Sequence, residues 1–198
     1  MLHKSLTHER HRRRQLELDV FDAQQLAFHD GLTLLPNRSF FQQRLGRALG
    51  AEAGGRSLAV VYLDLDNFKS INDTYGHAVG DAVLRVVALR LTRTVRSGDM
   101  VSRLGGDEFA CLLADMLGRD QLSHLACKLL DAVAEPIQLD QVSLTVRPSI
   151  GIALCPADGV TVDSLLQAAY AAMYRAKRHK SGYGFFDQDV PAQAEEFV

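Results

Sequence analysis

Two adjacent glycines lie between two short apolar segments near the middle of this chain. Gly105-Gly106 follows the segment Met100–Leu104 and is followed closely by Glu108–Leu113. Two short apolar segments joined through glycine are typical of a β-hairpin, since glycine adopts the backbone angles that tight turns require. A hairpin pairs its strands antiparallel, so the sequence predicts a fold that contains an antiparallel sheet.

The segments on either side of the hairpin alternate between strand and helix patterns. Strands are predicted at Leu58–Leu63, at Val142–Leu154, where apolar residues recur with a period of two, and at Tyr183–Phe186. Pro148 lies within the long strand and suggests an edge, a bend or a bulge there. The helices predicted from apolar spacing are Ser39–Leu49 with Ser39 as a cap, 81–95 with Asp81 at its N-terminal end, 121–133 and Asp163–Lys177. The order strand, helix, hairpin, helix, long strand, helix, strand indicates a mixed α/β fold with a largely antiparallel sheet, rather than a doubly wound fold.

Composition excludes several classes of protein. Hydrophobic residues make up 47% and charged residues 23% of the 198 residues, which is unlike a disordered chain. The net charge of −2 is unlike that of a nucleic-acid-binding protein, so we expect no nucleic-acid partner. No apolar run reaches the length of a membrane span, so no membrane contact is expected of this segment. Three scattered cysteines do not form a disulfide framework and favour a cytoplasmic location.

We divide the chain into three parts. Residues 1–28 are basic at the start and carry a short apolar seam, which predicts a linker helix; a solvated helix end is the preferred interpretation of its basic run. Residues 29–187 form the predicted catalytic domain. Residues 188–198 are polar and are interpreted as a tail or the start of a linker.

Acidic residues follow both the first strand and the glycine turn. Asp64 and Asp66 end the strand, and Asp107-Glu108 follows Gly105-Gly106. If the two strands are neighbours, their carboxylates can hold Mg²⁺, which prefers oxygen ligands and can activate a hydroxyl group for attack on a phosphate. From spacing alone, an ordinary glycine turn with solvated carboxylates is the simpler explanation.

A family resemblance favours the magnesium site over the ordinary glycine turn. Residues 105–109 read Gly-Gly-Asp-Glu-Phe and resemble the signature of the GGDEF family, the diguanylate cyclases. Four further segments resemble motifs of that family in the same order and spacing, so that the resemblance covers Asp30–Phe186. These segments are Asp30–Arg38, Asp64–His77 with Gly80-Asp81, Ser149–Ala153 and Ala168–Lys177.

The resemblance implies a fold and an activity. The fold is the palm-like fold of nucleotidyl cyclases and polymerases, in which helices flank a central, mostly antiparallel sheet of about five strands. Two copies of the domain face each other, and each holds one GTP and two Mg²⁺, for which Mn²⁺ can substitute. Each 3′-hydroxyl attacks the α-phosphorus of the other GTP, which forms cyclic di-GMP and releases two pyrophosphates.

The resemblance also assigns roles to residues of this chain. The metal ligands are Asp64, the backbone carbonyl of Leu65, and Asp107. Glu108 supports the metal site, and either Asp107 or Glu108 assists deprotonation of the hydroxyl. The substrate-binding residues are Phe68, Lys69 and Lys177 at the phosphates, Asn72 and Asp81 at the guanine edge, and Gly105 and Gly106 against the nucleotide.

A second motif implies regulation by the product. Arg96-Ser97-Gly98-Asp99 resembles the RxxD site at which members of the family bind cyclic di-GMP and are inhibited. The additional arginine that several members carry on the next helix is absent near Cys127 and Lys128. The chain also has Leu34 where a glycine is usual, and the second basic phosphate contact after Lys177 is left open between Arg178 and Lys180.

Two other functions stay open at this point. One is a silent domain that binds GTP or cyclic di-GMP and regulates a neighbour, and the other is a purely structural dimerisation domain. The family's usual architecture also implies that this chain is part of a longer protein, with an upstream sensor and a downstream phosphodiesterase domain of the EAL type. The parent protein can then be membrane-anchored, and the isolated chain is expected to be weakly active.

Overall fold

The computed structural model describes Arg14 and residues 27–51, 57–115, 118–139 and 142–187. The predicted linker helix, apart from Arg14 and its last two residues, and the predicted polar tail lie outside this part of the chain. None of the helices among the described residues has both the length and the hydropathy needed to cross a membrane.

A five-stranded sheet forms the centre of the described structure, with strand order β2-β3-β1-β6-β7. Strand β1 pairs antiparallel with β3 and β6, β2 pairs antiparallel with β3, and β7 joins β6 in parallel. The strands are β1 (Leu58–Leu65), β2 (Met100–Gly105), β3 (Glu108–Ala114), β6 (Pro148–Cys155) and β7 (Tyr183–Phe185). The predicted α/β fold with a mostly antiparallel sheet of five strands is confirmed, and so is the hairpin.

Helices cover both faces of this sheet. Among the described residues they are α1 (Arg38–Ala51), α2 (Phe68–Tyr75), α3 (His77–Thr94), α4 (Arg119–Ala134) and α5 (Val162–His179). Successive side chains of β1 alternate between the faces: Val61 and Leu63 pack in the core shared with α3 and α4, whereas Val60 and Tyr62 pack in the core shared with α1 and α5. Because both faces are buried, β1 is a continuous apolar run rather than an alternating one.

Helix α5 lies unusually close to the sheet. A Cβ atom on Gly151 of β6 would lie 2.0 Å from the Ala169 carbonyl oxygen and 2.1 Å from the Met173 nitrogen. The buried side of α5 consists largely of alanines, namely Ala168, Ala169, Ala172 and Ala176. This close packing brings the last turn of the helix, with Lys177, to the end of β1.

The prediction of one long strand over Val142–Leu154 was wrong. Among the described residues, Val142–Leu144 is a separate strand, β5, which pairs with β4 (Ile137–Leu139) in a two-stranded sheet, whereas β6 begins at Pro148. Proline lacks the N–H that a strand interior must donate and is therefore tolerated at the first residue of a strand. An extended chain alternates its side chains whether or not it is paired, so the period of two continued through the break.

Two local predictions need correction, and one helix was not predicted. Residues 68–75 form the unpredicted helix α2, and the helix predicted from residue 81 begins at His77, which places Asp81 beyond the first turn. Asn37, not Ser39, caps α1, because its side-chain Oδ1 accepts the Phe40 N–H at 3.0 Å.

Candidate active site

Acidic residues from two neighbouring strands meet at one end of the sheet. Asp64 of β1 lies opposite Glu108 of β3, and the Leu65 N–H donates to the Asp107 carbonyl at 3.4 Å. The end of β1 and the turn before β3 therefore lie side by side. Asp66 turns to β6, where its carboxylate accepts the Ser149 hydroxyl at 2.9 Å.

Negative charge is in excess at this edge of the sheet. Burial and the charge of Asp64 raise the pKa of Asp107, and a backbone hydrogen bond together with the charges of Lys177 and Arg103 opposes this only in part. The Lys177 ammonium donates a hydrogen bond to Asp64. Burial lowers the pKa of Lys177, but its attraction to Asp64, Asp66 and Asp107 outweighs burial and the net shift is upward. Two carboxylates thus converge where added positive charge is favourable.

The donor set is suited to a divalent cation. Asp64 and Asp107 would offer carboxylate oxygens to a cation, and the hydrogen bond from the Leu65 N–H to the Asp107 carbonyl brings the main chain of Leu65 alongside. In the part of the chain that the structure describes, no cluster of three or more acidic, histidine or cysteine side chains could hold a metal by itself. A bound cation would need phosphate oxygens and water as further ligands, which is how Mg²⁺ usually binds in nucleotide sites. The residues therefore fit the predicted magnesium.

The glycine turn beside these carboxylates is open. Gly105 has φ 149° and Gly106 has φ 51°, angles that L side chains rarely adopt. A Cβ atom at either position would have no neighbour within 4 Å. A ligand can consequently approach the turn closely from the solvent side.

Arg103 holds this turn in place. Its Nε and Nη2 both donate to the Gly106 carbonyl, at 2.9 and 2.6 Å, and its Nη1 donates to both carboxylate oxygens of Asp30, at 2.9 and 3.1 Å. Asp30 also accepts the Thr33 N–H at 2.8 Å and the Thr33 hydroxyl at 2.6 Å. The turn is thereby tied to the loop that precedes α1.

Glu108 has a different set of neighbours. Arg38 of α1 donates to its carboxylate at 3.2 Å and to the Leu104 carbonyl at 3.2 Å. Burial, together with the charge of Glu108, raises the pKa of the Tyr62 hydroxyl. Glu108 is thus held between an arginine and a neutral tyrosine, whereas Asp107 lies beside Asp64.

The predicted nucleotide residues lie on two consecutive helices. Phe68, Lys69 and Asn72 belong to α2, which starts immediately after the end of β1. Gly76, with φ 84°, separates α2 from α3, and its N–H donates to the Asn72 carbonyl at 2.9 Å. The chain reverses at Gly76 and α3 packs against α2, so that Asn72 contacts Gly80, the residue next to Asp81.

The RxxD residues lie at the opposite end of β2 from the glycine turn. Arg96 donates from Nε and Nη2 to the two carboxylate oxygens of Asp99, both at 3.2 Å, and from Nη2 to the Ala114 carbonyl at 2.8 Å. The Asp99 side chain is 2% exposed and that of Arg96 is 58% exposed. Both line a groove of about 470 Å³ beside Phe40 and Arg44.

Sequence reasoning missed two groups of residues here. It did not assign partners to Arg38, which lies in the segment Asp30–Arg38, or to Arg103, which lies two residues before Gly105. It also left the basic residues after Lys177 open, and the structure places Lys180 at the end of α5 with φ 52°. Leu34, at the usual glycine position, likewise adopts φ 61°, so the turn forms without glycine.

Comparison with known proteins identifies similar chains. A family model described as "Diguanylate cyclase, GGDEF domain" matches residues 27–182. The bifunctional diguanylate cyclase/cyclic di-GMP phosphodiesterase MucR of Pseudomonas aeruginosa is 44% identical over 174 residues, which cover 87% of this chain and 25% of MucR. The diguanylate cyclase TpbB of the same species is 46% identical over 158 residues, which cover 79% of this chain and 36% of TpbB. The chain thus spans a minor part of both relatives.

Solved structures agree with these matches. The GGDEF domain of TpbB has a TM-score of 0.78 at 42% identity, covering 81% of this chain and 95% of that one. The coiled coil and GGDEF domain of DgcB from Caulobacter crescentus, solved in complex with c-di-GMP, has a TM-score of 0.85 at 27% identity. That match covers 93% of this chain and 98% of the DgcB chain.

Proposed function

Since the chain belongs to the GGDEF family of diguanylate cyclase domains, we propose that it condenses two GTP molecules into cyclic di-GMP between two facing copies. In each half-reaction a 3′-hydroxyl oxygen bonds to the α-phosphorus of the other GTP, and the bond to pyrophosphate breaks. The observation that carries this proposal is the convergence of Asp64 and Asp107 beside an open glycine turn, with Lys177 within hydrogen-bond reach.

The phosphate end of the nucleotide is assigned to the strand ends. Bound Mg²⁺ would neutralise phosphate charge and lower the pKa of the attacking hydroxyl. Asp64, Asp107 and the Leu65 carbonyl are the proposed ligands, and Glu108 supports them. Lys177 is proposed to exchange its carboxylate partner for a phosphate oxygen, because its flexible stem allows a short movement from Asp64. Phe68 and Lys69 border the triphosphate, and Gly105 and Gly106 let it approach the backbone.

The base end is assigned to α2 and α3. Asn72 and Asp81 are proposed to read the guanine edge. A carboxylate can accept the N–H groups of guanine, whereas adenine would leave it unpaired, and an unpaired buried group strongly disfavours the wrong base. Each copy of the domain has one such pair, so a product with two guanines requires two copies in register.

Product inhibition is proposed at Arg96 and Asp99. The planar arginine fork suits guanine acceptors and phosphate, and Asp99 already holds it in position. This pair lies at the end of β2 that is opposite the glycine turn. Bound cyclic di-GMP would therefore change how two domains face each other and would leave the metal ligands in place. We propose further that residues 29–187 form the catalytic unit and that it works in the cytoplasm.

GTP turnover over a series of protein concentrations tests the proposal. With Mg²⁺ present, we expect cyclic di-GMP and pyrophosphate to form in a 1:2 ratio and the rate to rise faster than linearly with protein. Asp107→Asn should lower the rate about a hundredfold or more. Asp131→Asn, an exposed carboxylate on α4, is the matched control and should leave the rate unchanged.

A silent regulatory domain is the second candidate. The preformed Arg96–Asp99 pair favours it, since this pair can bind a nucleotide without any turnover. It predicts no product at any protein concentration, together with cyclic di-GMP binding that survives Asp107→Asn and is lost in Arg96→Ala. Measurable, Asp107-dependent turnover would eliminate this candidate.

A further inference from the structure

Gly80 is a buried glycine in the first part of α3, where glycine has no conformational advantage. Its N–H donates to the Gly76 carbonyl at 3.2 Å, as expected of helical backbone, and Gly80 is absent from the residues with positive φ. Glycine inside a helix costs about 1 kcal/mol relative to alanine. A reason other than backbone conformation must therefore account for it.

That reason is a close approach of Asn72. A Cβ atom on Gly80 would lie 1.9 Å from the Asn72 Oδ1 and 3.0 Å from its Cγ, and 3.3 Å from the Phe68 Cζ. No real Cβ atom tolerates the first distance. The amide of Asn72 thus occupies the space that any other side chain at residue 80 would fill.

The amide has little else to fix it. Within the described residues the Asn72 side chain makes no hydrogen bond, and its Oδ1 lies against Gly80. Asp81 follows Gly80 directly on the same helix. The Asn72 amide therefore lies against the residue that immediately precedes Asp81, the second group proposed to read the base.

We infer that Gly80 is a specificity-determining positioning residue, which acts through Asn72 to hold the guanine-reading amide beside Asp81. The inference rests on the proposed function, in which Asn72 contacts the base. Gly80 touches no substrate itself. Its substitution should change which nucleotide binds, while the fold is retained.

The contrast with other glycines supports this distinction. A Cβ atom on Gly151 would meet backbone atoms of α5, which cannot move without shifting a helix. The atom that Gly80→Ala meets most closely is the end of a side chain with two rotatable bonds, so Asn72 can rotate away. Gly46 of α1 provides the matched control, because its Cβ would meet only the Val162 Cγ2, at an ordinary 3.6 Å.

The test measures binding of 3′-deoxy-GTP and 3′-deoxy-ATP to the 198-residue chain by calorimetry with Mg²⁺. Both probes lack the attacking hydroxyl and cannot react, so affinity is separated from turnover. Gly80→Ala should bind 3′-deoxy-GTP about tenfold more weakly, as expected for one lost hydrogen bond to the base, and 3′-deoxy-ATP unchanged. Its Tm should equal or exceed that of the original chain, because alanine favours the helix. Gly46→Ala should leave both affinities unchanged.

A double-mutant cycle identifies the route of the effect. If Gly80 acts through Asn72, then Gly80→Ala should weaken 3′-deoxy-GTP binding no further in an Asn72→Ala background. Additive effects, unchanged binding by Gly80→Ala, or a Gly80→Ala chain that fails to fold would each overturn the inference. If the original chain binds 3′-deoxy-GTP and Asn72→Ala binds it equally well, the inference fails while the proposed function survives. If the original chain does not prefer 3′-deoxy-GTP over 3′-deoxy-ATP, both fail.

Discussion

Replacing Arg103 by methionine should both destabilise the domain and impair its turnover. Methionine keeps much of the apolar stem of arginine but removes the guanidinium that joins Asp30 to the Gly106 carbonyl. The two side chains of the ion pair are 11% and 22% exposed. Breaking a fully buried pair from one side costs about 3–5 kcal/mol, and an exposed pair contributes about 0–1 kcal/mol.

The Asp30–Arg103 pair lies between these limits. After the substitution Asp30 keeps two hydrogen bonds from Thr33, which satisfy part of its carboxylate. The Gly106 carbonyl is at the surface and can bind water instead. We therefore expect the free energy of unfolding to fall by about 2 kcal/mol. Because the glycine turn loses its anchor, GTP turnover should fall about tenfold or more under conditions where the variant is still folded.

Urea denaturation followed by circular dichroism, together with a turnover assay well below the Tm of the variant, measures both quantities. Arg85→Met on the exposed side of α3 is the control for the loss of one arginine. A cycle with Asp30→Asn should give a coupling energy of about 1 kcal/mol or more. A stability loss below about 0.5 kcal/mol would show that the pair behaves as a solvated surface pair. Normal turnover in the folded variant would refute the anchoring of the turn.

Four further predictions concern stability. Burial raises the pKa of Asp30, but hydrogen bonds from Thr33 and Arg103 outweigh it and the net shift is downward. The ionised Asp30 carboxylate therefore stabilises the fold above its unfolded pKa, and this stabilisation is lost as the pH falls below 3.8. When the free energy of unfolding is measured as the pH is lowered, it should fall less for Asp30→Asn than for the original chain. Arg90→Met should cost about 2 kcal/mol in urea denaturation, since Arg90 donates to three carbonyls at the end of α4, at 2.6 to 3.1 Å. Ser102→Ala should stabilise the domain by about 1 kcal/mol, because the buried Ser102 hydroxyl has no partner within the described residues; an unchanged or lower Tm would contradict this. Leu34→Gly should raise the free energy of unfolding by about 0.5–1 kcal/mol, since relief of the positive φ exceeds the entropy cost of glycine.

Helices and strands were predicted correctly where the spacing of apolar residues was regular. The central strand, the hairpin and the four amphipathic helices formed near their predicted positions, because periodic apolar residues need only bury one face. Helix α2 was missed because its segment, 68–75, is short and mostly polar, and it has only one buried side chain, that of Phe68. Strand β4 is three residues long and has no pattern of its own.

The candidate site was predicted through its motifs, and the contacts among its residues were not. The motifs indicated that carboxylates follow a strand and a glycine turn, and that Asn72 and Asp81 belong to one nucleotide site. They gave no sign that Arg103 holds the turn, that Arg38 pairs with Glu108, or that Asn72 packs on Gly80. Each of these contacts depends on the docking of one element against another.

Residues close together in the chain were enough to predict the central strand, the hairpin and the four amphipathic helices, because burying one face is a local property. Which side chains meet depends on how those elements dock. Arg103 reaches Asp30 across 73 positions, and Lys177 reaches Asp64 across 113. Such pairs follow from strand order, register and the close approach of α5 to β6, which cooperative packing of the whole core fixes together.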